Sequence, residues 1–217
     1  MKIAEVKRTK LEPDYPGLEE ISLELDKLNE RHRINSINWS NFKYSPDASF
    51  SIQYSNHEIF LKYYINESYF KAEKTETNQM VCEDSCVEIF LSPEEDAIYY
   101  NLEFNAIGTC LMGSGTSRQD NRLARPDIIS EIRIMTSAGN SPIAEREELF
   151  GWTITVAIPF EVFFRHKVQT PEGKTMRANL YKCGDKLKVP HYLTWNPVGT
   201  HNPDFHRPEY FGLLRFV

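Results

Sequence analysis

The residues of this chain best placed to do chemistry fall in one stretch, Glu83 to Gly108, reading EDSCVEIFLSPEEDAIYYNLEFNAIG. Residues 86–91 and 99–105 alternate apolar and polar, and Ser92-Pro93-Glu94-Glu95-Asp96 separates them, so the spacing predicts two strands joined by a polar turn. On the second strand Tyr100, Leu102 and Phe104 share one face, while Asn101, Glu103 and Asn105 share the other. With Glu88 on the neighbouring strand, that row offers carboxylates and amides, which suit bidentate hydrogen bonds to vicinal hydroxyls. A second polar alternation, Arg177, Asn179 and Tyr181, runs along MRANLYK. An antiparallel sheet with one solvated face produces the same pattern without any ligand. Glu88 and Glu103 also admit a catalytic reading, because hydrolysis of a glycosidic bond uses two carboxyls about 5–5.5 Å or 6.5–9.5 Å apart.

Ligands with apolar ring faces need an aromatic platform as well. Trp195 is the first candidate, since Asn196-Pro197 and a polar loop from Val198 to Pro208 follow it. A core Trp at the end of a strand would look the same. Trp39 sits among Ile34, Ile37 and Phe42 and reads as structural, and Trp152 precedes Ile154, Val156 and Ile158 at period two and reads as core. A second ring would have to come from Tyr192, Tyr210 or a loop Tyr. His191, His201, His206 and Arg207 flank Trp195 at spacings that match no standard metal site. Met80, Met112 and His191 would be needed for a haem, but no C-x-x-C-H attachment motif is present.

The elements that must position these groups are mostly strands. Candidates are residues 50–54, 58–65, 68–73, 128–136, 150–159, 176–183, 191–195 and 209–216, in addition to the central pair. Leu18, Ile21, Leu25 and Leu28 recur at helical spacing, which predicts an amphipathic helix from Leu18 to about Asn35. Residues 1–16 read as an arm with Pro13 and Pro16 bracketing Asp14-Tyr15, and Gly113 to Pro126 as an exposed loop carrying Arg118, Arg122 and Arg125. Pro159 to Phe164 reads as a short helical turn. Nine or ten short strands with one helix and no βαβ alternation give an all-β, two-sheet antiparallel sandwich, a single domain over residues 1–217.

Composition narrows the partners. The chain has 217 residues, 25 basic and 31 acidic side chains and a net charge of −6, which argues against a nucleic-acid partner. No apolar run approaches the ~20 residues of a membrane span. The charged N-terminus does not read as a signal peptide, which places the chain in the cytoplasm unless a leader has been removed. Four cysteines, Cys82, Cys86, Cys110 and Cys183, are too few for a disulfide framework, and the C-x3-C pair has no second pair to complete a zinc site.

Five segments in order, EDSCVEIFL with YYNLEFNAIGT, GWTITVAIPF, RANLYKC, HYLTWNP and HRPEYFG, resemble the family 9 carbohydrate-binding modules, and more narrowly the stand-alone family-9-like proteins of Bacteroidetes. The resemblance covers Trp39 to Val217. It implies a β-sandwich that binds an oligosaccharide, polysaccharide or sugar chain end between aromatic rings. It also implies structural calcium and a working partnership with glycoside hydrolases. Under it Trp195 would supply one ring, and Asn196, Arg177, Asn179, Glu103, Asn105, Glu88 and Tyr210 would complete the site. Calcium rests on the resemblance alone: Glu83, Asp84, Glu94, Glu95 and Asp96 are suitable oxygen donors without an EF-hand pattern.

Overall fold

The period-two runs become strands, and the structure, a computed structural model describing residues 1–11 and 15–217, joins most of them in one curled sheet. In chain order the elements begin with β1 (Ile3–Arg8), α1 (Leu18–Asp26), β2 (His32–Arg33), β3 (Ser36–Ile37), β4 (Asp47–Tyr54), β5 (Glu58–Glu67) and β6 (Phe70–Ala72). The central pair is β7 (Cys86–Ser92) and β8 (Tyr99–Asn105), followed by β9 (Cys110–Gly115), β10 (Arg122–Leu123) and a one-turn helix, α2 (Pro126–Ile129). The chain closes with β11 (Arg133–Thr136), β12 (Ile143–Arg146), β13 (Phe150–Pro159), β14 (Thr175–Gly184), β15 (His191–Thr194) and β16 (Gly212–Phe216).

The sheet runs β10-β9-β8-β7-β14-β16-β1-β4-β5-β13-β11, and its two halves fold over each other as a sandwich. β6 and β12 form a separate two-stranded sheet. Inward-facing residues of the two halves meet in the main core, where Ile52, Leu61, Tyr63, Trp152, Ile154 and Val156 pack against Val87, Ile89, Leu102, Phe104 and Leu180. That core also encloses an ion pair: Lys182 Nζ lies 2.9 Å from Glu67 Oε2, both fully buried, and 2.9 Å from His191 Nε2. Trp152 Nε1 donates to the other Glu67 oxygen at 2.7 Å, so one oxygen of this buried carboxylate is hydrogen-bonded and the other faces the ammonium. α1 covers the outer face of β5 and β13, with Ile21 and Leu25 against Phe60 and Ala157. No helix among the described residues is long and apolar enough to cross a membrane.

The largest departure from the sequence reading is the N-terminal arm. Its first part is β1, which runs parallel to β16 through Ile3–Val6 and parallel to β4 through Lys7–Arg8. It joins the two halves of the sandwich and makes the exceptions to an otherwise antiparallel arrangement among the described residues. Only Ala4 and Val6 turn inward, too few apolar positions to stand out among the charges. The Pro13-Asp14 portion of the arm lies outside the described residues. The helix stops at Asp26 rather than near Asn35, because His32–Arg33 is drawn into pairing with Phe50 and Ser49. Gly113 to Gly115 extend β9 instead of opening a loop, and residues 126–129 form α2 ahead of a shorter strand.

Candidate functional site

The pairing register sets three rows of side chains across β8, β7 and β14 on the face turned away from the main core. Asn105, Cys86 and Cys183 form the first row, Glu103, Glu88 and Tyr181 the second, and Asn101, Phe90 and Asn179 the third. Tyr192 of β15 stands beside Cys183, and Leu111 and Gly113 of β9 stand beside Glu103 and Asn101. The segment after β15 folds back over part of this face, where Phe205 stacks on Tyr181 at 4.1 Å between ring centroids. Trp39, Val198 and Phe211 complete a second apolar cluster there. What stays uncovered is a cavity of about 280 Å³ floored by Glu88, Glu103 and Asn101.

Loops build its walls. Met80 and Cys82 come from the turn before β7, Arg118 and Asn121 from the β9–β10 connection, Leu123 from β10, and Asp185, Tyr192, Asp204, Phe205 and His206 from the C-terminal third. Asn121 Nδ2 donates to Asn101 Oδ1 at 2.8 Å, and Asn101 Nδ2 donates to Glu103 Oε1 at 3.0 Å, a relay that fixes the Glu103 carboxyl. Gly113 makes room for it, since a Cβ there would sit 2.1 Å from Asn121 Oδ1 and 2.8 Å from Asn101 Oδ1. Across the mouth, Arg118 donates to Asp204 through Nη2 at 2.8 Å and Nε at 3.2 Å. The Asp120 carboxylate orders the Arg118 turn by accepting from the backbone N–H and hydroxyl groups of Thr116 and Ser117.

Burial decides the protonation of the floor. Glu88 is pushed well above the usual carboxylate range, first by burial and then by repulsion from Glu103. Burial raises Glu103 to about 7, against the lowering effect of the Asn101 hydrogen bond, and Asp185 adds to the rise. Asp185 itself is raised to about 6 by burial. Burial, assisted by Arg118, holds His206 down to about 4, so the ring is neutral at pH 7; its Nδ1 lies 2.7 Å from the Tyr99 hydroxyl. Near neutral pH the paired carboxyls therefore present a proton donor as well as acceptors.

Of the residues named for a sugar site, the structure brings Glu88 and Glu103 to this cavity, with Asn101 of the same polar row and Tyr192, the alternative ring, and leaves Trp195, Asn196, Arg177, Asn179, Asn105 and Tyr210 outside its lining. Trp195 is a correction: it is 2% exposed in the main core, edge-on to Phe50 and His32. Its ring also packs on Gly212, where an added Cβ would meet it at 2.7 Å. Asn196 and Asn179 are structural clamps: Asn196 accepts from Lys2 N–H and donates to the Tyr210 carbonyl, while Asn179 bonds the Asn196 backbone in both directions. Asn105 donates to Lys74 O and Asp84 Oδ2. Arg177 donates to Pro208 O, and Tyr210 packs over Gly199. Around Asn179 and Tyr181 the segment after β15 covers the polar face that the alternation predicts, while Asn105 is taken up by the chain at Lys74 and Asp84. Arg118, Asn121, Asp185 and Asp204 carried no signal of their own, because loop residues without periodicity reveal no direction.

Residues 19–216 match carbohydrate-binding family 9. The chain belongs to that family. A candidate carbohydrate-binding protein from Bacteroides uniformis ATCC 8492 superposes with a TM-score of 0.95 at 36% identity, over 100% of this chain and 99% of that one. Two structures of a family 9 module from Caldicellulosiruptor kristjanssonii, each 12% identical, share the fold. The glucose complex gives a TM-score of 0.62 over 100% of this chain and 96% of that one. The cellotriose complex gives 0.59 over 99% and 93%. No curated protein matches the sequence.

Of the acidic residues named for calcium, Glu83 and Asp96 already have protein partners. Glu83 is engaged by Lys74 and Lys186, and Asp96 by His166 and the Ile98 N–H. Asp84 Oδ2 takes donors from Glu73, Lys74 and Asn105, while its buried Oδ1 has no hydrogen-bond partner. Calcium needs six to eight convergent oxygens, and of Glu83, Asp84 and Asp96 the buried Asp84 Oδ1 is the oxygen without a hydrogen-bond partner. The haem alternative is scattered, with Met80 exposed at the cavity, Met112 in the main core and His191 bonded to Lys182.

Proposed function

We propose that this family 9 protein binds a carbohydrate non-catalytically in the cavity over β7 and β8, taking one sugar residue or a chain end. The observation that carries this reading is the convergence of Glu103, Asn101, Asn121, Arg118 and Asp204 beside the rings of Tyr192 and Phe205. Planar amides and carboxyls meet hydroxyl pairs, and the rings meet the C–H face of a pyranose. A volume of about 280 Å³ is at the small end for ligand sites, which favours a chain end over a long polymer segment. A floor whose carboxyls are held near neutrality suits an uncharged polyol. Such binding would serve polysaccharide use alongside a glycoside hydrolase.

Calorimetry with glucose, cellotriose and a wider oligosaccharide panel tests the proposal. Arg118 is well exposed, so Arg118→Ala should leave the fold intact and weaken binding about 10- to 100-fold, as expected for loss of a charged hydrogen-bond donor. Absence of binding across the panel removes the reading.

One observation favours a second reading, glycoside hydrolysis: Glu103 carries a pKa of about 7, as a general acid would. Against it, both carboxyls lie side by side on one sheet face, where a glycosidase pair flanks the scissile bond. Release of reducing sugar, lost in Glu103→Gln, would establish the enzyme; retention of that activity in Glu103→Gln would remove these carboxyls as its source.

A further inference from the structure

Beside the cavity floor, in the adjoining row of the same sheet face, Cys86 on β7 and Cys183 on β14 face each other in register, and Glu88 follows Cys86 by two residues. The thiols are fully buried and Glu88 is 2% exposed. Cys183 Sγ lies 3.0 Å from Glu88 Oε1, Cys86 Sγ lies 4.0 Å from the same oxygen, and the three candidate ligand atoms are all within 4.8 Å of one another. No other such group of His, Cys, Asp and Glu occurs among the described residues. We propose that Cys86 Sγ, Cys183 Sγ and Glu88 Oε1 form a binding site for a thiophilic divalent cation of the zinc class, its fourth position open toward the cavity.

The donor set selects the metal. Two sulfurs disfavour calcium and magnesium, which prefer oxygen shells, and the carboxylate with two thiolates suits tetrahedral zinc. With bonds of about 2.3 Å to sulfur and 2.0–2.2 Å to oxygen, tetrahedral edges come to roughly 3.5–3.8 Å. The separations here bracket those edges, so side-chain rotations of under about 1 Å would close the site. Glu88 also supplies what the reading of the cavity leaves unexplained. It is a buried carboxyl whose hydrogen-bonding neighbours on this face are thiols, opposite a second buried carboxyl. A cation would neutralise that arrangement, and binding would release the thiol protons and the carboxyl proton. Of the three proposed ligands Glu88 lines the cavity, as does the neighbouring Cys82. Metal and sugar would thus share Glu88 as a common wall.

The test is a titration of the full-length, reduced, chelator-treated protein with Co²⁺, followed by displacement with Zn²⁺. The expected result is one Co²⁺ per chain, with a thiolate-to-cobalt charge-transfer band and the intense visible bands of a tetrahedral complex. Cys183→Ser and Glu88→Gln should each weaken binding at least about tenfold, the lower bound of what loss of even an outer-shell partner costs. Cys110→Ser, whose thiol is packed in the main core, should leave the spectrum unchanged. Because Glu88→Gln is nearly isosteric, it remains informative if the cysteine variant fails to fold. Absence of the charge-transfer band, an unchanged spectrum in the folded Glu88→Gln variant, or recovery of Cys86 and Cys183 only as a disulfide would each overturn the proposal. Sugar affinity measured on the same samples is a separate readout, so the metal site can fail while the sugar site stands, and the reverse.

Discussion

Glu88 on β7 and Glu103 on β8 are direct cross-strand neighbours, both nearly inaccessible to solvent, and their hydrogen-bond donors are neutral: the Cys183 thiol for Glu88 and the Asn101 amide for Glu103. Like charges in that position repel, and burial penalises each further. The pair therefore carries an electrostatic penalty that a ligand on the cavity floor would relieve.

Stability should reflect that pair. The folded pKa of Glu103, about 7, lies above the ordinary value of 4.5. The native state thus holds the proton over a range where the unfolded chain has lost it. The contribution is fully present below pH 4.5 and disappears as pH rises through 7, a difference of about 3 kcal/mol for a shift of this size. Thermal unfolding of metal-free protein between pH 4.5 and 8 should show Glu103→Gln gaining stability relative to the parent as pH rises. Parallel pH profiles for the two proteins would contradict this.

Trp195→Ala separates platform from core. A Trp packed between Phe50, His32 and Gly212 should cost about 3–5 kcal/mol when truncated. Sugar affinity measured well below the lowered melting temperature should be unchanged. A selective loss of binding with normal stability would return Trp195 to the site.

Gly113→Ala probes the amide relay. Its Cβ would displace the Asn121 and Asn101 side chains that hold Glu103. Affinity for sugar should fall roughly tenfold, about 1.4 kcal/mol, and the change in melting temperature should be small. Calorimetry and thermal denaturation on one preparation decide it.

Removal of residues 1–8 tests the role of β1. Those residues supply a strand between β16 and β4 and bury Ala4 and Val6. The shortened protein should melt at least roughly 10 °C lower or fail to fold cooperatively. A melting temperature within a few degrees of the parent would mean that the two halves hold together without it.

Much of the fold was legible because its signal is local. Period-two alternation in residues 99–105 fixes which side chains share a face, and Tyr100, Leu102 and Phe104 do enter the core while Asn101 and Glu103 face the cavity. The same rule placed Trp152 in the core and the strand at 150–159. The sequence by itself thus determined most of the longer strands, the two faces of the central hairpin and the family, but not β1. Which part of the polar face stays open was decided only in three dimensions. Trp195 turned inward and Asn179 and Asn196 became backbone clamps because the segment after β15 folds across β14. Arg118 meets Asp204 across 86 positions of sequence, in loops that no periodicity describes. Alternation is a property of neighbours along the chain, whereas a cavity depends on strand order and on where loops return, and those follow from the packing of the whole sandwich.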